Sequence, residues 1–304
     1  MDVGLVGLGA MGSPISRHLL ESGHSVTGFD VSAAALSRFS SYGGKPARSA
    51  REVADRAEVV LCSLPDAATV AQVLQGESGL IGGRAMRTFV ELSTVGRQAA
   101  QDTAAALATA GVGYVDAPVS GGVPGAEAGS LAVMVAGEDQ PVAAVEPLLR
   151  TFSASVVRVG STAGQAQVVK LANNLLSATA IVVSTEAVLL AVKAGVDPRV
   201  ALAAIGRGTG RNSAINDKFP RLVVPRRLES GFKLGLLAKD LRLCLGAADE
   251  TATPMLAGRA IGSLVGLAEQ LFGSEADCLA YVRMVEQWAQ TQIDDLSWKG
   301  EGQQ

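Results

Sequence analysis

Cysteine and histidine are scarce in this chain. Its 304 residues include three cysteines and two histidines. Cys62, Cys244 and Cys278 lie in apolar segments and show no Cys-x-x-Cys spacing. We therefore expect buried thiols in a reducing compartment, and neither disulfides nor zinc ligands. No metal site is predicted.

Aromatic and charged residues are also few. They make up 4% and 18% of the chain, against 48% hydrophobic residues, so the core is expected to consist mainly of Ala, Val, Leu and Gly. The formal net charge of -3 argues against nucleic acid or an anionic membrane as partner. The most apolar stretch, residues 171–185, is interrupted by Asn173 and Asn174 and is shorter than the roughly 20 residues of a bilayer span. With no signal peptide recognised, we expect a cytoplasmic protein.

A glycine-rich turn follows the first apolar run, residues 3–6. The turn consists of Gly7, Leu8, Gly9, Ala10, Met11 and Gly12, and a helical pattern follows it. In a dinucleotide-binding βαβ unit, glycines at these positions allow the tight turn, the close approach of a pyrophosphate and the packing of the helix on the strand. The alternative is a purely structural glycine turn.

An acidic residue ends the second predicted strand, residues 25–29. Asp30 lies about 20 residues beyond the glycines, where a carboxylate accepts hydrogen bonds from the ribose hydroxyls. The same charge would repel a 2′-phosphate, so the pattern favours NAD over NADP. The alternative role for Asp30 is to cap the helix that begins near Ser32.

The first half of the chain alternates between strand and helix patterns, and the second half is helical. This arrangement predicts an α/β fold with an N-terminal doubly wound, mainly parallel Rossmann sheet, joined by a long helix (residues 165–194) to an all-α C-terminal domain. We expect an NAD-binding domain over 1–161, a substrate and oligomerisation domain over 162–296, and a disordered tail over 297–304. The predicted strands are 3–6, 25–29, 59–64, 88–92, 114–117, 131–135 and 156–159.

The two histidines, His18 and His24, both lie in the first βαβ unit, too far from a substrate held beyond a nicotinamide. This placement excludes dehydrogenases that use a histidine base. Zinc alcohol dehydrogenases are excluded because the chain lacks their ligands. None of the three tyrosines has a lysine four residues later, which excludes the Tyr-x-x-x-Lys pair. A hydride-transfer enzyme with this sequence is therefore expected to use a lysine.

Lys170 is the candidate lysine, near the start of the long predicted helix. Its apolar neighbours favour the neutral amine, which lowers the pKa toward the range of a general base. Asn174 lies four residues later and therefore on the same helical face. Alternatively, Lys170 extends its stem along a core helix with its charge in water.

A second glycine-rich segment follows the strand predicted over 114–117. Ser120 offers a hydroxyl, and Gly121 and Gly122 offer unhindered backbone N–H groups, at the edge of the sheet where ligands bind. These groups suit a carboxylate. A simple glycine-rich turn is the alternative.

Together these motifs resemble the β-hydroxyacid dehydrogenase family, of the 3-hydroxyisobutyrate dehydrogenase and tartronate semialdehyde reductase type. The resemblance covers essentially the whole chain. The motifs that carry it are Gly7 to Pro14, Leu64-Pro65, Leu92-Ser93-Thr94, Asp116 to Gly122, Gly164 through Lys170 to Asn174, and Phe232 through Lys239-Asp240.

The resemblance implies a role for individual residues. Lys170 would be the catalytic acid/base of an NAD-dependent oxidoreductase that interconverts short 3-hydroxy carboxylates and their semialdehydes. The implied substrate contacts are Ser120, Gly121, Gly122 and Asn174. The implied cofactor contacts near the nicotinamide are Leu64, Pro65, Thr94 and Lys239.

Several alternatives stay open. The acid could be 3-hydroxyisobutyrate, a glycerate or tartronate semialdehyde pair, serine, threonate or a sulfonate analogue. Residues 207–242 hold nine basic and three acidic side chains, which form either a solvated face or, at Arg211, a contact to a second polar group of the substrate. A ketopantoate reductase and a non-catalytic dinucleotide-binding scaffold are the rival classes. The long apolar helix also predicts a homodimer or homotetramer.

Overall fold

The computed structural model describes residues 1–294, and the chain divides into two compact units between Leu171 and Ala172. The tail predicted over 297–304 lies outside the described residues. The first unit contains nine strands within the described part of the chain. Strands β1 to β9 are Asp2–Val6, Ser25–Phe29, Lys45–Pro46, Val59–Cys62, Thr88–Glu91, Gly113–Asp116, Val119–Ser120, Leu131–Gly137 and Ser153–Gly160.

The strands form one sheet in the order β3-β2-β1-β4-β5-β6-β8-β7, and β9 pairs with β8. The first six strands in this order, from β3 across β2, β1, β4 and β5 to β6, pair in parallel, as a doubly wound sheet requires. Strand β8 runs antiparallel to β6 and to β7. The predicted mainly parallel Rossmann sheet is confirmed. Helices α1 to α7 of this unit are Gly12–Glu21, Ala33–Ser41, Ala50–Arg56, Ala67–Gln75, Arg97–Thr109, Gly122–Glu127 and Asp139–Leu149.

Polar side chains begin several of these helices at the carboxyl edge of the sheet. Ser32 caps α2, and Asp66 caps α4 by accepting the backbone N–H of Thr69 at 2.8 Å. The last residues of the parallel strands stand in register: Val6 with Phe29 and Cys62, Cys62 with Glu91, and Glu91 with Asp116. The loops that follow β1, β2, β4, β5 and β6 therefore emerge side by side.

The second unit is helical. Helix α8, Gln165–Lys193, begins in the first unit and continues through the second. It ends before Gly195, which has φ +85°, and Asp197 caps the next helix as predicted. The remaining elements are α9 (Pro198–Arg207), a π-helix (Ala214–Val223), α10 (Leu234–Glu250), α11 (Leu256–Phe272) and α12 (Ala280–Ala289).

Helix α8 is longer than the apolar stretch recognised in the sequence. At 29 residues it is long and apolar enough to cross a membrane by length and composition alone. The sequence argument against a membrane span considered only residues 171–185, and the helix is longer than that stretch. One such helix is weak evidence for a span, because the core helix of a globular protein meets the same criterion. Residues Ala178, Ile181, Val182, Val188 and Leu189 of α8 lie in the hydrophobic core of the second unit.

Five short or irregular elements differ from the sequence prediction, which contains none of them: β3, β7, α6, a 3-10 helix (Leu80–Gly82) and the π-helix. The two strands have two residues each, so they carry no usable alternation of polar and apolar side chains. Helix α6 contains three residues of low helix propensity, Gly122, Pro124 and Gly125. The π-helix contains Pro220 and has a period that helical-pattern analysis does not test.

Candidate active site

The glycine-rich turn connects β1 to α1 with a geometry that only glycine permits at two positions. Gly7 has φ +90°, and a Cβ there would lie within 3.0 Å of the Ser63 carbonyl oxygen. A Cβ on Gly12 would lie equally close to the carbonyl oxygen of Gly7. Beside Gly9, in contrast, the space is open to 4 Å. The turn is therefore tight at both ends and accessible in the middle, where a pyrophosphate would approach.

Asp30 lies against this turn. Its Oδ2 accepts the backbone N–H of Leu8 at 2.7 Å, and its Oδ1 accepts that of Ser32 at 2.8 Å. Ser32, and not Asp30, is the residue that caps α2. The carboxylate is thereby fixed beside the glycines, while each oxygen keeps a lone pair for a further donor such as a ribose hydroxyl.

The loops after β4 and β5 are joined by a serine. Ser93 Oγ accepts the backbone N–H of Leu64 at 2.8 Å, and the backbone N–H of Ser93 donates to Glu91 Oε1 at 3.0 Å. Leu64 and Thr94, two of the expected cofactor contacts, therefore stand on neighbouring loops at the same edge as the glycine turn.

The segment Ser120 to Gly122 is a short strand followed by the first turn of α6. Gly121 and Gly122 have φ values of +131° and +62°, which L-residues with side chains rarely adopt. His18, on α1, lies within 3.0 Å of the Ala126 carbonyl oxygen through its Nε2. This histidine thus connects the helix behind the glycine turn to the helix behind Ser120.

The start of α8 is held by a buried network around Gln167. The Gln167 side chain donates to the Ser93 carbonyl oxygen at 3.0 Å and to Asp116 Oδ1 at 2.8 Å. Its Oε1 accepts the backbone N–H groups of Val95 at 2.9 Å and Gly96 at 3.2 Å. Both N–H donors and both lone pairs of the amide are therefore used, which fixes its orientation.

Asp116 completes this network at the end of β6. Its Oδ2 accepts the backbone N–H groups of Gly164 at 3.0 Å and Gln167 at 3.2 Å. The carboxylate at the end of β6 therefore caps the N-terminus of α8. Burial raises the pKa of Asp116 to about 6, and the hydrogen bonds from Gln167 and Gly164 oppose the rise. Because all these partners are donors, the network is complete only with the ionised carboxylate.

Lys170 and Asn174 lie one turn apart on α8. Both are buried, with 8% and 7% of their surface exposed. Lys170 follows Gln167 by three residues, so the clamp between Gln167 and the 93–96 loop positions the turn that carries it. Asn174 Nδ2 donates to Asp240 Oδ2 at 2.6 Å, and Lys239 Nζ lies 3.3 Å from Asp240 Oδ1.

Gln167 and Asp240 lie within the sequence motifs, but the contacts that give them a role are visible only in the structure. A buried glutamine in an apolar helix resembles any solvent-facing glutamine when only the sequence is known. Asp240 adjoins Lys239 in the Phe232–Asp240 motif, which is the one signal that would have drawn attention to it.

The residues of the first unit fit NAD. The tight ends and open centre of the glycine turn suit the pyrophosphate, and the fixed Asp30 carboxylate suits an adenosine ribose without a 2′-phosphate.

Two family models match the chain. Residues 2–160 match the model of the NAD-binding domain of 6-phosphogluconate dehydrogenase. Residues 164–285 match the model described as the NAD-binding region of NADP-dependent 3-hydroxyisobutyrate dehydrogenase.

Individual relatives align over most of the chain. A 2-(hydroxymethyl)glutarate dehydrogenase of Eubacterium barkeri is 33% identical over 90% of this chain and 88% of its own length. An NAD-dependent L-serine dehydrogenase of Pseudomonas aeruginosa is 34% identical over 84% of this chain and 88% of its own. The structure of Mycobacterium tuberculosis 3-hydroxyisobutyrate dehydrogenase with L-serine superposes with a TM-score of 0.85 at 29% identity, covering 93% of this chain and 98% of that one.

These matches confirm the resemblance carried by the motifs. The chain belongs to the β-hydroxyacid dehydrogenase family and is an NAD(P)-dependent oxidoreductase of 3-hydroxy acids.

Proposed function

We propose that this enzyme interconverts a short 3-hydroxy carboxylic acid of the 3-hydroxyisobutyrate kind and its semialdehyde, with Lys170 as the acid/base. The observation that carries the proposal is the pair of buried polar side chains on α8, Lys170 and Asn174, one helical turn apart. Side chains four residues apart on a helix lie on the same face, so an amine and an amide at these positions can contact one small ligand together. A substrate hydroxyl and carbonyl oxygen would use both groups.

The chemistry divides between the protein and the cofactor. Bound NAD supplies the hydride acceptor in oxidation, and its reduced form supplies the donor in reduction. The Lys170 amine takes the proton of the substrate hydroxyl during oxidation, and the ammonium returns it in reduction. Asn174 is oriented by Asp240 and holds the substrate oxygen, while Ser120, Gly121 and Gly122 bind the carboxylate with a hydroxyl and backbone N–H groups. Gly7 to Gly12, Asp30, Leu64, Pro65, Thr94 and Lys239 bind the cofactor.

The names of the relatives define a set of test substrates. 3-Hydroxyisobutyrate, L-serine and 2-(hydroxymethyl)glutarate each carry a hydroxymethyl group on the carbon next to a carboxylate, and they differ in the third substituent of that carbon. These acids, with glycerate and threonate, should be assayed for NAD reduction. Turnover of at least one of them supports the proposal. Tight NAD binding without turnover of any acid would instead favour the non-catalytic scaffold.

Asp30 is expected to make NAD the better cofactor by about 100-fold or more in kcat/KM, because a 2′-phosphate would be placed against a fixed carboxylate. The Asp30→Ser variant should lose most of this preference, since it removes the charge and keeps a hydrogen-bonding side chain. Steady-state kinetics with both cofactors measure the ratio. An equal or higher kcat/KM of the unmodified enzyme for NADP would contradict the assignment.

We also propose a homodimer or homotetramer assembled through α8. Leu176, Val183 and Leu190 are 69%, 51% and 73% exposed and recur every seven residues along this helix. Such a row is typical of helices that pair, and the same helix of a second copy offers an identical row. Glu186 is the one charged residue among the exposed positions of α8 between 172 and 190.

Light scattering at micromolar concentration should therefore give a dimer or tetramer mass for the unmodified protein. Val183→Glu is expected to yield a monomer, because it places two carboxylates opposite each other across a symmetric interface. Val157→Glu on β9 is the matched control, since Val157 is also 51% exposed. A monomeric unmodified protein, or dissociation of both variants alike, would contradict the assignment of this face.

We also propose the reducing, cytoplasmic location that the sequence predicts. All three cysteines are buried free thiols. Burial raises the pKa of Cys278 to about 11, so this thiol stays protonated and poorly reactive.

A further inference from the structure

Lys218 differs from the other basic residues of the 207–242 segment. Five of the nine form ion pairs with carboxylates: Arg221 with Asp217, Arg226 with Glu286, Lys233 with Glu275, Lys239 with Asp240 and Arg242 with Glu269. Arg207, Arg211 and Arg227 are exposed to solvent. Lys218 is half-buried and, among the residues that the structure describes, has no carboxylate within ion-pair distance.

The π-helix directs this lysine toward α8. Lys218 Nζ donates to Ser177 Oγ at 3.1 Å, and the adjacent Phe219 is fully buried in the core of the second unit. Phe219 thus anchors the backbone while the lysine faces the other helix. Of the three N–H donors of the ammonium, Ser177 uses one.

Ser177 lies on the same face of α8 as the proposed catalytic pair. It follows Asn174 by three residues and Lys170 by seven, and a helix returns to one face at these intervals. With a rise of about 1.5 Å per residue, Ser177 is about 5 Å beyond Asn174 and about 10 Å beyond Lys170 along the axis. The Lys218 ammonium therefore stands at the far end of the row formed by Lys170, Asn174 and Ser177.

Asp277 lies in the same part of the second unit as Lys218 but does not form an ion pair with it. The charge of the Asp277 carboxylate raises the pKa of the Cys278 thiol, and the charge of the Lys218 ammonium lowers it. The Asp277 carboxylate accepts the backbone N–H groups of Ser230, Gly231 and Leu279 and the Ser230 hydroxyl. It is thus held by neutral donors and lies beyond 4.0 Å from Lys218.

We infer that Lys218 binds a second anionic group of the substrate, so that the preferred acids of this enzyme carry two carboxylates. The inference rests on the proposed function. A substrate whose hydroxyl lies at Lys170 and whose first carboxylate is bound nearby would extend its third substituent along α8 toward Lys218. If this substituent ends in a carboxylate, it forms a charge-assisted hydrogen bond with the Lys218 ammonium. If it is a methyl group, it offers the Lys218 ammonium no opposite charge, and if it is an ammonium group, as in L-serine, it is repelled.

The test compares kcat/KM for NAD reduction between doubly and singly charged acids. The dianions are 2-(hydroxymethyl)succinate and 2-(hydroxymethyl)glutarate. They differ by one methylene group, so their comparison also shows which length of the third substituent fits. The singly charged references are 3-hydroxyisobutyrate and L-serine. We expect kcat/KM to be about 10- to 100-fold higher for the better dianion, mainly through a lower KM. In Lys218→Met, which keeps the length of the side chain and removes the charge, the ratio of dianion to monoanion should fall to near one.

Lys233→Met is the matched control, because Lys233 lies in the same segment and is exposed and paired with Glu275. It should keep the ratio of the unmodified enzyme. A ratio near one in the unmodified enzyme would overturn the inference. So would a Lys218→Met variant that loses both activities equally, since that result indicates a structural lysine.

A binding measurement separates this inference from the reaction itself. Glutarate and butyrate are titrated into the NAD-saturated enzyme by calorimetry, which needs no turnover. Absence of turnover with every acid would refute the proposed reaction, whereas tighter binding of glutarate that disappears in Lys218→Met would still support the anion contact. Equal binding of the two carboxylates would overturn it.

Discussion

Lys170→Ala is expected to lower kcat by about 100- to 10,000-fold, the range typical of a lost general acid/base. The dissociation constant of NAD should stay near that of the unmodified enzyme, because the pyrophosphate and ribose are expected at the glycine turn and Asp30. Lys170→Arg should be almost as inactive, since a guanidinium does not lose its proton in this pH range. Stopped-flow or steady-state rates, with NAD binding followed by fluorescence, provide both quantities.

The pH profile distinguishes a catalytic lysine from a packing lysine. In the unmodified enzyme the oxidation rate should rise with pH as the ammonium loses its proton, and Lys170→Ala should lose this limb. Lys193→Ala is a suitable control because it makes the same substitution at an exposed position of the same helix. Near-normal turnover of Lys170→Ala with an unchanged pH profile would show that the mechanism is wrong.

Gln167→Met is expected to lower the free energy of unfolding by about 3–5 kcal/mol, because four buried groups each lose a hydrogen bond and a buried group left unpaired costs about 1–3 kcal/mol. The affected groups are the N–H groups of Val95 and Gly96, the Ser93 carbonyl and the Asp116 carboxylate. Methionine has nearly the same length as glutamine, so the loss arises mainly from hydrogen bonding. Denaturant titration measures it.

Gln98→Met provides the control. Gln98 is exposed and donates only to Asp102 on its own helix, so this variant should change stability by no more than about 0.5 kcal/mol. Hydrogen exchange adds a local measurement: the amides of residues 165–170 should exchange faster in Gln167→Met. If Gln167→Met unfolds at the same denaturant concentration as Gln98→Met, the network does not hold the start of α8.

The local sequence is sufficient to predict an element where backbone geometry or the end of a helix requires one type of residue. The glycine turn was recognised because Gly7 and Gly12 leave no room for a Cβ, and the beginning of α9 because Asp197 precedes Pro198. The parallel strands were recognised because strands buried on both faces are continuously apolar. The limits of α8 were close to those observed because Gly195 ends the helical pattern with a positive φ.

Contacts between distant segments needed the tertiary structure. Asp116 and Gln167 are 51 residues apart, and nothing in either segment indicates that one caps the other's helix. The same holds for Asn174 with Asp240 and for Ser177 with Lys218, which are 66 and 41 residues apart. The sequence by itself therefore determined the fold class, the family and the candidate acid/base, because those depend on short-range patterns and backbone requirements. The network that holds the start of α8 around Gln167, and the contact of Lys218 with Ser177, were decided only by packing, because hydrogen bonds between elements depend on positions that no local pattern encodes.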